Sequence, residues 1–202
     1  LPYYRYSHKK NISIFLFLVG YIIIKGVPYL KPSLFAFNYT TENVSVTPAI
    51  ITTLYMVGIS LAVAVPFGVF CAIYLVEYAK KGNKLVKIIR VTAETLSGIP
   101  SIVYGLFGML FFVTALNWRF SLIAGAFTLA IMILPLIIRS TEEALKSVDD
   151  SFREGSFGLG AGKLRTVFRI VIPSANSGIL AGIILAIGRV IGETAALIYT
   201  AG

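Results

Sequence analysis

The sequence offers almost nothing to a metal ion or to covalent catalysis. Its 202 residues include one cysteine, Cys71, and one histidine, His8, far apart along the chain. A lone cysteine excludes an internal disulfide and a cysteine-ligated metal site, and a lone histidine excludes a Cys–His dyad and a histidine-rich metal cluster. We therefore predict no metal site and no catalytic residue. No nucleophile–base pair supports a membrane-embedded hydrolase.

Charged residues are scarce as well. They make up 13% of the chain, whereas a soluble domain of ordinary composition carries about 25%. Hydrophobic residues account for 57%, and the mean hydropathy is +0.85. Alternation with the period of a β-strand is absent, which excludes a membrane-spanning barrel. The composition therefore predicts an all-α, polytopic transmembrane bundle.

Five stretches contain no charged residue and predict membrane-spanning helices: 11–24, 43–76, 95–118, 120–138 and 170–188. About 20 helical residues cross a ~30 Å hydrocarbon core. The first run is short, and it crosses if the helix continues to Leu30 while the Lys25 ammonium reaches the interface. The alternative for that run is a signal peptide, because Arg5, Lys9 and Lys10 precede an apolar core.

The basic residues predict the orientation. Fourteen of the 18 lysines and arginines precede the first run, separate runs two and three, or separate runs four and five. Basic segments stay in the cytoplasm, so we expect a cytoplasmic N-terminus and Gly202 on the outer side. The net charge of +9 follows from this topology and does not indicate nucleic-acid binding, because the chain has no soluble face on which to concentrate it.

Proline and glycine interrupt the second and third runs. Pro66 and Gly68 predict a kink in the second, and Pro100 breaks the third. Small residues let helices pack closely in lipid. Alternatively, broken backbone lines a water-filled path, because only such surroundings tolerate it at membrane depth. On that interpretation, Ser101 and Tyr104 offer hydroxyls to a passing solute.

The stretch EGSFGLGAGKLRTVFRIVIP, residues 154–173, is rich in glycine but is not a nucleotide-binding loop. The phosphate-binding pattern G-x-x-x-x-G-K-[ST] requires glycine where Phe157 stands and a hydroxyl residue where Leu164 stands. The preceding loop predicts two short helices. Thr141 would cap the first, and Asp150 or Ser151 would begin the second. The second helix would place three residues on one face: Phe152, Ser156 and Leu159.

The same stretch resembles the cytoplasmic loop of ABC importer permeases. That loop has the pattern E-A-A, three residues, G, nine residues, I-x-L-P, and the spacing is met throughout. The matching residues are Glu154, Gly155, Ser156, Gly160, Ile170 and Pro173. The departures are glycine and serine for the two alanines, and Ile172 for leucine. The resemblance implies that this loop is a coupling element seated in a cleft of an ATPase subunit.

Three further segments resemble the permease subunits of phosphate importers: 97–108, 134–148 and 184–202. The ending GETAALIYTA is closer to the PstA type than to the PstC type, although Ala196 replaces the usual proline. The resemblance implies the type I permease fold, called MetI-like, with a cytoplasmic coupling helix. PstA-like permeases have six spans and five are predicted, so we expect the C-terminal span to be missing. Because residue 1 is leucine, we also expect a trimmed start.

On this resemblance, residues 48–202 would form the permease transmembrane domain, and residues 1–47 an N-terminal segment with the first span and an external loop. The chain would be an inner-membrane subunit that forms half of the translocation path of an ATP-driven phosphate importer. Its implied partners are the ATPase subunit, a PstC-like sister permease, an external phosphate-binding protein and membrane lipid. ATP and Mg²⁺ would bind the ATPase, so we expect no cofactor in this chain.

Arg189 and Glu193 make phosphate a chemically sensible substrate. Arg189 lies about midway along the last predicted span, which continues beyond the uncharged run, and Glu193 is four residues further on, hence on the same face of a continuous helix. An ionised residue in a span costs at least ~2.5–3.5 kcal/mol, so it usually serves a pathway or a pair. A guanidinium fork matches phosphate oxygens. Glu193 would hold the guanidinium and accept a hydrogen bond from protonated phosphate, which sulfate cannot donate.

Three alternatives stay open at this stage. The Arg189–Glu193 pair could be structural, linking helices. A permease for another oxyanion or solute of the same ABC class would share the docking motif. An ion channel or secondary transporter could use an intramembrane Arg–Glu pair and would need neither an ATPase nor a docking loop.

Overall fold

Helices form every regular element in the parts of the chain that the structure describes, which confirms the all-α prediction. The computed structural model describes residues 2–37, 45–80 and 82–201, with side chains from Ile12 onward, so the side chains of His8 and of the basic N-terminal residues lie outside it. Internal contacts divide the chain into two units, Leu1–Thr52 and Thr53–Gly202. The sequence-based boundary between residues 47 and 48 stays a prediction.

The first unit is built on α1, Pro2–Gly26, which continues into short 3₁₀ turns at Val27–Tyr29 and Pro32–Phe35. The helix passes Lys25 without a break, as the first predicted span requires. None of the side chains between Ile12 and Tyr29 is buried within the chain, and this stretch of 18 residues has a mean hydropathy of 1.9. Such a stretch is suited to contact with lipid on all sides.

The second unit contains the remaining helices, although α2 begins just before it. In chain order they are α2 (Thr47–Ile73) with a π-helical continuation (Tyr74–Tyr78), α3 (Lys84–Ser97), α4 (Ser101–Gly108) with a π-helical continuation (Met109–Ala115), α5 (Leu122–Lys146), α6 (Asp150–Gly158), α7 (Lys163–Thr166) with a π-helical link (Val167–Val171), α8 (Ile172–Ile191) and α9 (Ala195–Ile198).

The described helices include four that are long and apolar enough to cross a membrane: Ile12–Tyr29, Thr47–Tyr78, Leu122–Lys146 and Lys163–Ile191. The third predicted run is a bent pair, because α3 meets α4 at 104° around Pro100. If α3 and α4 with its continuation are counted together as one span, the described residues contain five candidate spans. The interruption predicted at Pro100 is therefore confirmed, whereas α2 stays helical through Pro66 and the kink there stays a prediction.

The core is organised around α5, which packs along α8 through small side chains. A Cβ atom added to Gly182 would lie 2.1 Å from Ser140 Oγ, and one added to Gly178 would lie 2.7 Å from Ala144 Cβ. Both distances are shorter than any normal contact, so each glycine lets the two helices approach closely. Close packing of small residues is the main source of helix association in lipid.

The prediction that Thr141 caps a short helix is wrong. α5 runs unbroken to Lys146, and Thr141 is 1% exposed in its interior. Ile137 and Leu145, one turn before and after it, are equally buried. The apolar stripe of the span therefore continues past Arg139 into the segment that the charges suggested was a loop, because the stripe still has α8 to pack against.

The second predicted loop helix exists as α6, which begins at Asp150 as expected. Asp149 caps it by accepting a hydrogen bond from the Ser151 N–H at 2.8 Å, and the hydrogen bonds from Ser151 lower the pKa of the Asp149 carboxyl. Phe152, Ser156 and Leu159 line one groove beside α6, which confirms the prediction that they share a face. Ser156 is the buried member of the three, whereas Phe152 and Leu159 are exposed. Ser156 faces inward because its hydroxyl bonds to that of Thr166 at 2.8 Å.

The contact between α5 and α8 gives a first prediction. Gly182→Ala should lower the free energy of unfolding by about 1–3 kcal/mol, because the new methyl group overpacks the interface with Ser140. The melting temperature of the protein in detergent, followed by circular dichroism, measures this. Gly188→Ala on the same helix is the matched control, since its Cβ would meet nothing within 4 Å. Equal melting temperatures for the two variants would contradict the close contact.

Candidate functional site

The last span ends in a break that positions Glu193. α8 stops at Ile191 and the short helix α9 starts at Ala195. Glu193 lies between them, and its Oε1 accepts a hydrogen bond from the N–H of Ala196 at 3.1 Å. The carboxylate thus satisfies a backbone donor at the start of α9, as a capping side chain does.

The predicted Arg189–Glu193 arrangement is therefore not present. The two residues would share a face only in a continuous helix, and α8 ends between them. Arg189 lies in the last turn of α8, half-buried, and forms no ion pair or side-chain hydrogen bond with the residues that the structure describes. Glu193 instead lines a cavity of about 330 Å³ with Met56 and Leu197.

Tyr104 holds the bend between α3 and α4. Its ring is 5% exposed, and its hydroxyl donates a hydrogen bond to the Leu96 carbonyl across the break at 2.7 Å. Ser101, the first residue of α4, is half-buried beside the same break. The Leu96 carbonyl also accepts a hydrogen bond from the Ile99 N–H at 3.1 Å. The Tyr104 hydroxyl therefore adds a second bond that links α4 to the end of α3, which is a structural task that the sequence did not indicate.

Glycines of α4 let the two breaks meet. A Cβ atom on Gly105 would lie 2.8 Å from the Ala196 Cα, and one on Gly108 would lie 2.2 Å from Thr128 Oγ1. α4 therefore contacts the backbone of α9 directly. The sequence left open whether these glycines serve close packing or a broken backbone that lines a water-filled path. The contacts of Gly105 and Gly108 show close packing, and the water-filled path stays a prediction.

The cytoplasmic motif residues gather around a groove between α6 and the start of the last span. Four of the six predicted coupling residues line it, namely Gly155, Ser156, Gly160 and Ile170. The groove has a volume of about 520 Å³ and also includes the exposed side chains of Phe152 and Leu159 and the cations Arg165 and Arg169. Glu154 is exposed on α6, and Pro173 is exposed in the first turn of α8.

Gly160 makes the turn at one end of this groove. Its φ of +82° lies in the left-handed region that favours glycine, and its N–H donates to the Phe157 carbonyl at 2.9 Å as α6 ends. A motif glycine at this position is therefore explained by backbone geometry. The neighbouring Gly162 has a φ of −73° and an extended conformation that other residues adopt.

Arg153 attaches α6 to the rest of the unit, and the sequence analysis missed it. Its Nη2 lies 2.8 Å from Glu77 Oε1, and side-chain exposure is only 14% and 8% for the two residues. The same guanidinium donates to the carbonyls of Leu145 and Val148 at 2.9 and 2.8 Å. Because Glu77 is 76 residues away, the only sequence signal was a basic residue in a loop.

The chain matches a known family over most of its length. The family model described as "Binding-protein-dependent transport system inner membrane component" matches residues 64–202. In solved structures, a chain of the MetNI methionine ABC transporter in an inward-facing conformation superposes with a TM-score of 0.59, at 20% identity, over 73% of this chain and 68% of that one. This likeness confirms the predicted MetI-like fold.

Individual relatives give a more specific comparison than the family model. The probable ABC transporter permease protein YqgI of Bacillus subtilis is 39% identical over 94% of this chain and 65% of its own length. The phosphate transport system permease protein PstA of Haemophilus influenzae is 33% identical over 98% of this chain and 75% of its own. PstA 1 of Mycobacterium tuberculosis H37Rv is 40% identical over 76% of this chain and 49% of its own length. The chain thus spans about half to two thirds of the first relatives it matches.

The buried Arg153 cluster gives a second prediction. Arg153→Ala should destabilise the protein by about 3 kcal/mol, because it leaves the Glu77 carboxylate and two carbonyls buried without their partner. The melting temperature in detergent measures the loss. Arg139→Ala is the matched control, since its pair with Glu143 is 60% and 68% exposed and such pairs contribute ~0–1 kcal/mol. A similar small loss in both variants would contradict the cluster's role.

Proposed function

The chain belongs to the family of binding-protein-dependent transport system inner membrane components, and on that basis we propose that it is a permease subunit of an ATP-driven phosphate importer. The assignment of phosphate as the substrate rests on relatives named as phosphate transport permeases. One of them is 33% identical over 98% of this chain. The family is one of inner-membrane transport components, and the part of this chain that the structure describes has four or five helices suited to crossing a membrane.

The groove between α6 and the start of the last span is the proposed docking site for the ATPase subunit. Its exposed Phe152 and Leu159 are apolar anchors outside the core, and Arg165 and Arg169 supply charge beside them. Large apolar side chains beside arginine are the composition of strong protein–protein contacts. ATP and Mg²⁺ bind the ATPase partner in this proposal. A sister permease completes the path, and an external binding protein delivers phosphate.

Arg189 is the proposed contact for phosphate in the pathway. Its guanidinium is half-buried and keeps its donors free of any carboxylate in the described chain, so they are available to an oxyanion. Tyr104 and Ser101 lie beside the break between α3 and α4. Glu193 acts in a different way from the sequence hypothesis, because it holds the start of α9 and so fixes where α8 ends.

The orientation with a cytoplasmic N-terminus completes the proposal. It rests on the distribution of basic residues, and it puts α6 and its groove on the side where ATP is available. Arg153, Lys146 and Arg90 all lie at that same end of the second unit.

Arg189→Gln in the complete transporter should reduce phosphate uptake about 10- to 150-fold, since hydrogen bonds to a charged group are worth ~1.5–3 kcal/mol. Uptake of labelled phosphate into proteoliposomes with the ATPase and binding protein measures this. Arg189→Lys should retain part of the activity, because it keeps the charge and loses the planar fork. Arg119→Gln, at an exposed site outside the spans, is the charge-matched control. Wild-type uptake by Arg189→Gln would remove the pathway role.

Gly160→Ala should weaken association with the ATPase subunit. A side chain at φ +82° strains the turn that closes the groove, at a cost of about 1 kcal/mol, roughly a fivefold loss of affinity. Co-purification of the ATPase subunit at increasing salt measures the change. Gly162→Ala, two residues away with an ordinary φ of −73°, serves as the control. If both variants retain the ATPase equally well, the groove is not the docking site.

A further inference from the structure

α3 carries a row of apolar side chains that the described part of the chain leaves uncovered. Leu85, Ile88 and Val91 are 55%, 63% and 52% exposed, and their spacing of three places them on one side of the helix. The opposite side is occupied, because Val86 and Ile89 pack against Ile138 of α5. α3 therefore has two apolar sides, and one of them faces away from the protein.

The contacts with α5 place α3 at the boundary between the apolar core and the water. The uncharged part of α5 ends at Ile138, which Val86 contacts. One turn further on, Glu142 Oε1 lies 2.7 Å from Arg90 Nη2. The axes of α3 and α4 are bent by 104° relative to each other, so the two helices are within about 14° of perpendicular. α3 therefore contacts α5 at the level where the charged residues of α5 begin.

A basic cavity of about 760 Å³ adjoins this row of apolar residues, and Val91 lines both. Some cations in its wall are already neutralised, since Arg90 and Lys146 pair with Glu142 and Arg153 pairs with Glu77. Three lysines in the wall have no carboxylate partner among the described residues: Lys80, Lys84 and Lys87. The Glu94 carboxylate in the wall also has no ion pair among the described residues, so the three lysines leave the cavity with a net positive charge beside an apolar surface.

We propose that α3 is an interfacial helix that binds an anionic phospholipid. Leu85, Ile88 and Val91 lie among the acyl chains, and the unpaired lysines bind the headgroup phosphate in the adjoining cavity. A free phosphate or a nucleotide would satisfy the lysines and leave the apolar row in water. Only a molecule with both an anionic headgroup and acyl chains covers both surfaces. The inference depends on membrane insertion and not on the substrate that is transported.

The test is lipid binding to the complete transporter in detergent, with bound lipid counted by native mass spectrometry. Phosphatidylglycerol and phosphatidylcholine are the two probes. The double variant Lys84→Gln, Lys87→Gln should weaken phosphatidylglycerol binding about 25-fold, or fivefold for each lysine, as expected from ~1 kcal/mol per basic residue near an anionic surface. Phosphatidylcholine binding should not change. Lys25→Gln, Lys31→Gln removes the same charge at exposed positions of the first unit and should bind like wild type.

Unchanged phosphatidylglycerol binding in the Lys84, Lys87 variant would overturn the proposal. A soluble competitor separates the two sources of the phosphate group. If glycerol 3-phosphate or inorganic phosphate displaces the lipid at equal concentration, the cavity is a site for free phosphate and the acyl chains contribute nothing, which also overturns it. Failure of competition at a 100-fold excess supports it.

The position of the apolar row has its own readout that does not depend on the lysines. A spin label at Ile88→Cys, in a Cys71→Ala background, should be more accessible to oxygen than to a water-soluble nickel reagent in vesicles of phosphatidylcholine and phosphatidylglycerol. Phe152→Cys, equally exposed but in the cytoplasmic groove, should show the reverse. A water-accessible label at residue 88 would mean that α3 does not lie in the membrane interface.

Discussion

Every backbone group that leaves a helix inside a membrane needs a partner within the protein, and this constraint governs the second unit. The chain leaves its helices twice near the proposed path, at Pro100 and at Gly192. At the first break, the Tyr104 hydroxyl bonds to the Leu96 carbonyl, and at the second the Glu193 carboxylate accepts from the Ala196 N–H. Gly105 of α4 then lets that helix contact the backbone of α9 directly, just beyond the second break.

The same constraint decides what Arg189 can do. Because Glu193 caps α9, it does not neutralise the guanidinium one turn earlier, and the cation is left half-buried without a carboxylate in the described chain. An unpaired guanidinium in a membrane span raises the free energy of the protein, and an anion that binds to it lowers that free energy. The break therefore separates two roles that an intact helix would have merged: one residue fixes the backbone, and the other stays free to bind.

The sequence predicted the spans well because missing charge reports directly on contact with lipid. The break at Pro100 and the turn at Gly160 were also predictable, since ring geometry and left-handed φ are properties of single residues. Helix ends were harder. Thr141 and Glu142 resemble the start of a new helix, yet α5 continues because its apolar stripe keeps a partner in α8. The Arg153–Glu77 contact joins residues 76 apart, which no local pattern reveals.

That contact also fixes α6 to the ends of two longer helices. A short helix held only at its ends would tilt in place when a partner pushed on its groove. Arg153 instead ties the middle of α6 to the last carbonyls of α5 and to the π-helical end of α2 through Glu77. Because the pair is nearly excluded from water, displacing α6 alone would leave charged groups buried without partners. Moving α5 and α2 with it costs less. α5 in turn packs on α8, whose last turn carries Arg189.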